Sequence, residues 1–313
     1  MGQPFISICI PAYKRLPFLT RLMNSIAEQT YTQFEVILSD DSDDDTVSDY
    51  LKSVNFSFPI HYYKNSPSLG TPANWNFAVS KANGDWIKLI HDDDWFASKD
   101  SLQEFADATA QGPKFIYSAY SNYLESDQSN QLVQHKRTAI IDVLKQPLLL
   151  LSENIIGPPS VTLFHKSMLE KYDERMKWRV DLEYYIRVLQ QEKEIYHIPK
   201  ALIQVGVSES QVTNYCINIP SVEIPEGHIL LTKYGTAPLK NIIVFDAWWR
   251  ILRNCGIRSN QDLTQFGDSY WPPCIQEMTH LQSKFSTQQL KNGVYSKILM
   301  TYSYIQNYLQ GKL

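Results

Sequence analysis

The sequence predicts an α/β fold: a mainly parallel sheet flanked by helices, followed by a helical C-terminal region. Two observations carry this. Between Phe5 and Ile90, short apolar runs alternate with stretches of helical spacing, the pattern of parallel strands joined by helices that cover both sheet faces. Past Cys216 the alternation stops, and aromatic-rich helical segments take over.

The first strand is the apolar run Phe5 to Ile10, ending at Pro11. Leu19, Leu22, Met23 and Ile26 follow at the i, i+3, i+4, i+7 spacing of a buried helix face. Phe34 to Leu38 is the second strand; an acidic loop follows it, and Val47, Tyr50, Leu51 and Val54 repeat the helical spacing. Recurrence within about thirty residues is that of a βαβ element. Ile60 to Tyr63 gives a third strand, Pro72 to Lys81 a helix with proline in its first turn, and Trp86 to Ile90 a fourth strand. Phe115 to Tyr120 forms another strand, and the polar stretch after it, to Lys136, reads as a loop. From Asp142 to Tyr172 come a Leu-rich helix, the turn Gly157-Pro158-Pro159 and a strand over Val161 to Phe164. Arg179 to Leu189 opens a helix with Asp181 near its N-terminus. The expected division is an α/β domain over 1–215, with halves at about 1–120 and 121–215, and a helical accessory region over 216–313.

Composition narrows the class. With 313 residues, 43% of them hydrophobic and 20% charged, the chain is an ordinary globular protein. A net charge of −4 argues against nonspecific nucleic-acid binding. The charge is uneven, however: Leu231 to Leu313 holds nine Lys/Arg against four Asp/Glu, a local balance of +5 that leaves −9 for the rest. Cys9, Cys216, Cys255 and Cys274 form no CxxC pair and read as reduced thiols of a cytoplasmic protein. The longest uncharged apolar runs, such as Leu148 to Leu151, fall short of a membrane span.

Polar chemistry gathers where the strands end. In sheets of this class ligands bind beyond the carboxyl ends of the strands. Those ends carry Pro11-Ala12-Tyr13-Lys14-Arg15, Asp40-Asp41-Ser42-Asp43-Asp44-Asp45 and Asp92-Asp93-Asp94. Three adjacent carboxylates repel one another, and a divalent cation or solvent must neutralise them. Without a nearby His or Cys cluster, the ion indicated is hard, Mg²⁺ or Mn²⁺ rather than Zn²⁺. On its own the triplet also fits a solvated acidic turn. The loop at Asp41, Asp43 and Asp45 is not an EF-hand, because Thr46 and Lys52 stand where glycine and glutamate are required. No two glycines are spaced GxG, and GxxxxGK[ST], HExxH and GxSxG are absent. A nucleotide bound here is held by carboxylates and a metal.

Taken in order, Ser7 to Arg15, Ser39-Asp40-Asp41-Ser42, Asn74-Trp75-Asn76, Ala82 to Ile87, Asp92 to Asp94, and Asp181-Leu182-Glu183 with Arg187 resemble the family 2 glycosyltransferases. The resemblance covers about residues 3 to 215. It implies a GT-A (Rossmann-like) fold with a nucleotide-sugar half over 1–120 and an acceptor half over 121–215. It also implies an inverting enzyme that moves a sugar from a nucleoside diphosphate donor, UDP-, dTDP- or GDP-linked, to an acceptor hydroxyl. Mn²⁺ or Mg²⁺ then bridges the departing phosphates, with Asp94 a direct ligand and Asp92 on the metal or the ribose. Three consecutive aspartates leave the register open, so Asp93 can exchange with either. By the same resemblance Pro11, Tyr13 and Asp41 belong to the base-and-ribose pocket, and Asp181 is the base, with Glu183 the alternative because Val180 stands where a glutamate is usual. As i, i+4 neighbours, Glu183 and Arg187 also read as a plain helix salt bridge.

The acceptor implied is a glycan or lipid-linked glycan of bacterial surface polysaccharide, such as O-antigen or capsule, assembled at the inner face of the membrane. Two rival classes are a sugar-nucleotide nucleotidyltransferase and a non-catalytic sugar-binding protein on the same fold. Ile242, Ile243, Phe245, Trp248, Trp249 and Leu252, beside Lys240, Arg250 and Arg253, suit a peripheral membrane face. The competing reading packs them into the core or against a second subunit of a homodimer.

Overall fold

The apolar runs become the central strands of a sheet in the computed structural model, which describes residues 3–134, 137–168, 170–192, 194–209, 211–267 and 270–313. Strands β1 (Ile6–Ala12), β2 (Phe34–Asp40), β3 (Ile60–Lys64) and β4 (Trp86–Leu89) are parallel, in the order β3-β2-β1-β4. Every residue of β1, β2 and β4 is buried. Continuous apolar runs are what a parallel sheet covered on both faces requires; edge strand β3 instead shows intermediate and exposed positions. Helix α1 (Leu16–Ala27) buries Leu19, Leu22, Met23 and Ile26, the face its spacing predicts. Helices α2 (Thr46–Ser53), α3 (Ala73–Ser80) and α4 (Ser101–Ala108) complete this half, and Pro72 caps α3 rather than lying in its first turn.

Beyond β4 the sheet becomes mixed. After β5 (Trp95–Phe96) come β6 (Phe115–Leu124), β7 (Ser129–Val133), β8 (Thr162–His165) and β9 (Tyr196–Val207), extending the order to β4-β8-β6-β9-β5, with β7 on β6. Two elements differ from expectation. The stretch after Tyr120 is not a loop: β6 runs on to Leu124 and returns as β7, with Leu124 opposite Ser129. Its polar composition hid it, because neither face of this hairpin is fully buried. Strand β9 has no counterpart in the sequence reading, since Pro199 and Gly206 punctuate it; a register shift against β6 near Ser118 to Tyr120 accommodates the irregularity.

The chain divides into two units. The sheet unit takes in Met1–Leu144, Ile155–Glu174 and Arg187–Glu209, and the helical unit Lys145–Asn154, Arg175–Ile186 and Ser210–Leu313. Helix α5 (Arg137–Lys145) precedes the first helical-unit segment, and α6 (Val180–Gln191) begins in the second. The last segment holds α7 (Pro220–Tyr234), α8 (Ile242–Asn254), α9 (Asn260–Phe266), α10 (Pro273–Ser283), α11 (Thr287–Lys291) and α12 (Gly293–Leu309). Of the two readings of the aromatic block, the core one holds for four of its residues: Phe245, Trp248, Trp249 and Leu252 are at most 2% exposed and form the core of this unit, not a surface. Gly227 is required beneath Trp248, because a Cβ there would stand 2.8 Å from the indole ring. The indole N–H of Trp249 donates to Ser296 Oγ at 3.0 Å. Only Ile242 and Ile243 of the block remain exposed. All four cysteines are buried and unpaired.

Candidate active site

The Asp92 to Asp94 triplet lies between β4 and β5, beside the end of β1. Asp92 Oδ2 accepts the Tyr13 N–H at 3.2 Å. The Arg15 guanidinium spans two carboxylates, donating to Asp92 and, at 2.7 Å, to Asp93 Oδ2. Asp94 Oδ1 accepts the Gly206 N–H from β9 at 3.0 Å, and the Ser160 hydroxyl also favours its charged form. Burial nevertheless pushes the Asp92 carboxyl up to about 7, although Arg15 opposes the shift, and raises Asp94 well above the carboxylate range. A cation is the compensation such a site calls for.

The residues fit one. His91, Asp93 and Asp94 can each turn a ligand atom into a cluster whose members lie within 4.8 Å of one another. Imidazole Nε2 of His91 is buried without a hydrogen-bond partner, and burial lowers that ring to about 4, so it is neutral near pH 7 and able to ligate. One imidazole with carboxylates suits Mn²⁺ better than Mg²⁺. His91 is a residue the sequence does not point to, since a single histidine carries no spacing signal. Asp92, which the sequence reading placed on the metal or ribose, has its oxygens on Tyr13 and Arg15.

Support comes from below. Ser160 Oγ accepts the His91 N–H at 3.0 Å. The carbonyls of Ser160 and Thr162 both accept from Nζ of the fully buried Lys88, the second at 3.0 Å. Lys88 sits 4.3 Å over the Phe105 ring, and burial drives its pKa well down. At Gly206 a Cβ would meet the Asp93 carbonyl oxygen at 2.4 Å. Gly206→Ala is therefore expected to displace the triplet, lowering stability by about 1–3 kcal/mol and donor affinity with it. Unchanged melting temperature and unchanged nucleotide binding would refute the close approach.

The second-strand motif holds a neighbouring loop. Asp41 is 4% exposed, and its carboxylate accepts from Asn65 Nδ2 (2.8 Å) and from the N–H groups of Leu69 (3.1 Å) and Gly70 (2.7 Å). Gly70 has φ of +74°, a conformation glycine adopts without strain. Asn74 ties into the same network through Ser39 Oγ at 2.5 Å. Trp75 packs 4.6 Å from the His91 ring, and Asn76 bonds both ways to the Tyr172 backbone. Pro11 is buried at the end of β1, whereas Tyr13 is 52% exposed, with Lys14 Nζ 5.4 Å from its ring centre.

Asp181 belongs to the helical unit. Half-buried in the first turn of α6, its carboxylate accepts from the Leu182 N–H at 2.8 Å and Asn154 Nδ2 at 3.2 Å. Burial raises it to about 6; the Leu182 and Asn154 bonds oppose the shift and Glu226 adds to it. The preceding turn is fixed by Glu226, whose carboxylate accepts the N–H groups of Lys177 (2.6 Å), Trp178 (2.8 Å) and Arg179 (2.7 Å), while Arg179 pairs with Glu223. Glu183 is fully buried and receives Lys233 Nζ at 2.8 Å and the Tyr234 hydroxyl at 3.0 Å. Arg187 pairs with Glu170.

Known proteins align with this chain. Abequosyltransferase RfbV of Salmonella typhimurium is 38% identical over 112 residues, a match spanning 34% of this chain and 33% of that protein. An uncharacterised glycosyltransferase of Rickettsia typhi is 25% identical over 223 residues, covering 69% of this chain and 68% of its own length. Among solved structures, Staphylococcus aureus TarS 1-349 in complex with UDP-GlcNAc superposes with a TM-score of 0.57 at 16% identity, covering 98% of this chain and 92% of TarS. The mannosyltransferase PcManGT of Pyrobaculum calidifontis, with GDP-Man and Mn²⁺, gives 0.57 at 13% identity, covering 100% of this chain and 89% of its own. These likenesses establish the GT-A fold. The model of glycosyl transferase family 2 matches residues 7–173, just over half the chain, and the chain belongs to that family.

Proposed function

We propose that the chain transfers a sugar, with inversion, from a nucleoside diphosphate sugar to an acceptor hydroxyl of a bacterial surface glycan carried on lipid. The observation that carries this is the carboxylate triplet, buried at Asp92 and Asp94, with His91, held beyond the ends of β1 and β4 by Arg15, Tyr13 and Gly206. TarS with UDP-GlcNAc and PcManGT with GDP-Man and Mn²⁺ support the donor class. His91, Asp93 and Asp94 would hold a divalent cation, which supplies the charge that makes a diphosphate a good leaving group. Arg15 keeps Asp92 and Asp93 in place, and the exposed Tyr13 ring packs on the base or ribose. Asp181, ionised above about pH 6, accepts the proton of the attacking hydroxyl as the new bond forms at the anomeric carbon.

A product assay tests the reading. Incubation with UDP-, dTDP- and GDP-sugars, Mn²⁺ and a lipid-linked glycan should release nucleoside diphosphate from one of them. Pyrophosphate would instead identify a nucleotidyltransferase, and no product from any donor that binds would identify a sugar-binding protein.

A further inference from the structure

Helix α12 packs on its own unit by one side and leaves an apolar stripe on the other. Its inward side buries Ser296, Ser303 and Asn307 along with Leu299 and Met300. Its outward side carries Val294, Ile298, Tyr302, Ile305 and Leu309, each between 48% and 75% exposed. At 100° per residue those five fall within one stripe less than a quarter of the circumference wide. A groove of about 550 Å³, lined by Gly293, Val294, Lys297, Ile298 and Thr301, lies at its N-terminal end. The Tyr304 hydroxyl donates to the Lys240 carbonyl at 2.7 Å, bringing the start of α8, with exposed Ile242 and Ile243, beside the same helix.

Charge selects what covers the stripe. From Met278 to Leu313 there is no Asp or Glu, while Lys284, Lys291 and Lys297 are present, along with Lys312, which pairs with Glu277 at 2.9 Å. The rings of Phe285 and Tyr295 stand 5.7 Å apart, which sets the Lys284 turn against the start of α12. Lys297, 61% exposed, also meets Asp246 at 3.2 Å. A second copy packed stripe to stripe would bring these lysines together with no acidic residue of the segment to answer them. An anionic lipid surface offers both apolar depth for Val, Ile and Leu and negative charge for the lysines, with tyrosines at the headgroup level. Among the described residues no helix is long and apolar enough to cross a membrane, so the contact is with a surface. We infer that the outward face of α12, rimmed by Lys284, Lys291 and Lys297, docks the protein on an anionic lipid surface.

The test is co-sedimentation of the full chain with vesicles of phosphatidylcholine alone or mixed with phosphatidylglycerol. The wild type should pellet at least tenfold more with anionic than with neutral vesicles at low salt, and be released as salt rises. Ile298→Glu with Ile305→Glu, at exposed positions, should leave the melting temperature unchanged and abolish pelleting. Lys284→Gln with Lys291→Gln should weaken it severalfold and flatten its salt dependence. Wild-type protein that ignores anionic vesicles at low salt overturns the inference. So does a wild-type dimer, seen by light scattering, that the glutamate pair converts to monomer without any lipid binding, because the face would then belong to a second copy. None of these residues has been placed at the donor or the base, so sugar transfer can succeed or fail independently.

Discussion

Asp181→Asn should cut turnover by about 10²- to 10⁴-fold, the range for loss of a general base, while nucleoside diphosphate affinity stays near wild type. The same change should not destabilise the protein. Burial raises the native carboxyl to about 6, above the value of an unfolded aspartate, so the native state holds its proton more tightly. Its stability contribution is complete below the unfolded pKa and is lost as pH rises through about 6. The neutral amide escapes that loss. The variant should therefore melt higher than wild type at pH 8, with the gain shrinking towards pH 4. Wild-type kcat/KM should fall tenfold per pH unit below about 6. Glu183→Gln separates the two carboxylates: Glu183 is fully buried on Lys233 and Tyr234, so its replacement should lower the melting temperature, at about 1–3 kcal/mol, with a smaller effect on the rate of the folded fraction. A larger rate loss at Glu183 than at Asp181 would reverse the assignment.

The second large effect is expected at the triplet. EDTA should abolish transfer, and Mn²⁺ should restore it; full activity in EDTA would overturn the metal reading. Asp94→Asn keeps an acceptor for the Gly206 N–H and removes the charge, so the fold should persist while cation-dependent nucleotide binding fails. Wild type at a nucleoside diphosphate concentration of 100 Kd with Mn²⁺ gains about 2.7 kcal/mol of stability, and the variant should gain none. His91→Gln asks whether the imidazole is a ligand: if it is, the preference for Mn²⁺ over Mg²⁺ should fall. A variant that keeps both the preference and the affinity would return the second ligand position to Asp92.

Repetition made the first half of the fold legible. Periodic apolar residues settle on α1 and on the parallel strands because both faces of that sheet are covered, so burial is written continuously into the chain. The 121–133 hairpin and β9 carried no such signal: one is half wet, and the other contains proline and glycine. At the site, a run of carboxylates announced itself, but its division of labour did not. Asp92 goes to Arg15 and Tyr13 only because β1 and β4 are neighbours, and His91 and Gly206 join because of β8 and β9, which no local pattern foretells. The aromatic block stayed open between two readings for a different reason. Tryptophan at helical spacing looks alike whether it faces a core or a membrane, and Gly227, which makes room for Trp248, lies twenty-one residues away.

The three N–H groups that converge on Glu226 set a rule for swapping parts between relatives. The turn that leads into Asp181 takes its shape from Glu223 and Glu226 on α7, so Asp181, the proposed base, and the C-terminal helices are inherited as one piece. A chimera joined near residue 215 that takes α7 onward from another enzyme would mate this turn to a foreign helix and misplace Asp181, even with every residue before the junction native. Grafting 175–186 together with 210–313 would keep the anchor and its cargo matched, and acceptor preference should travel with that composite rather than with either segment alone.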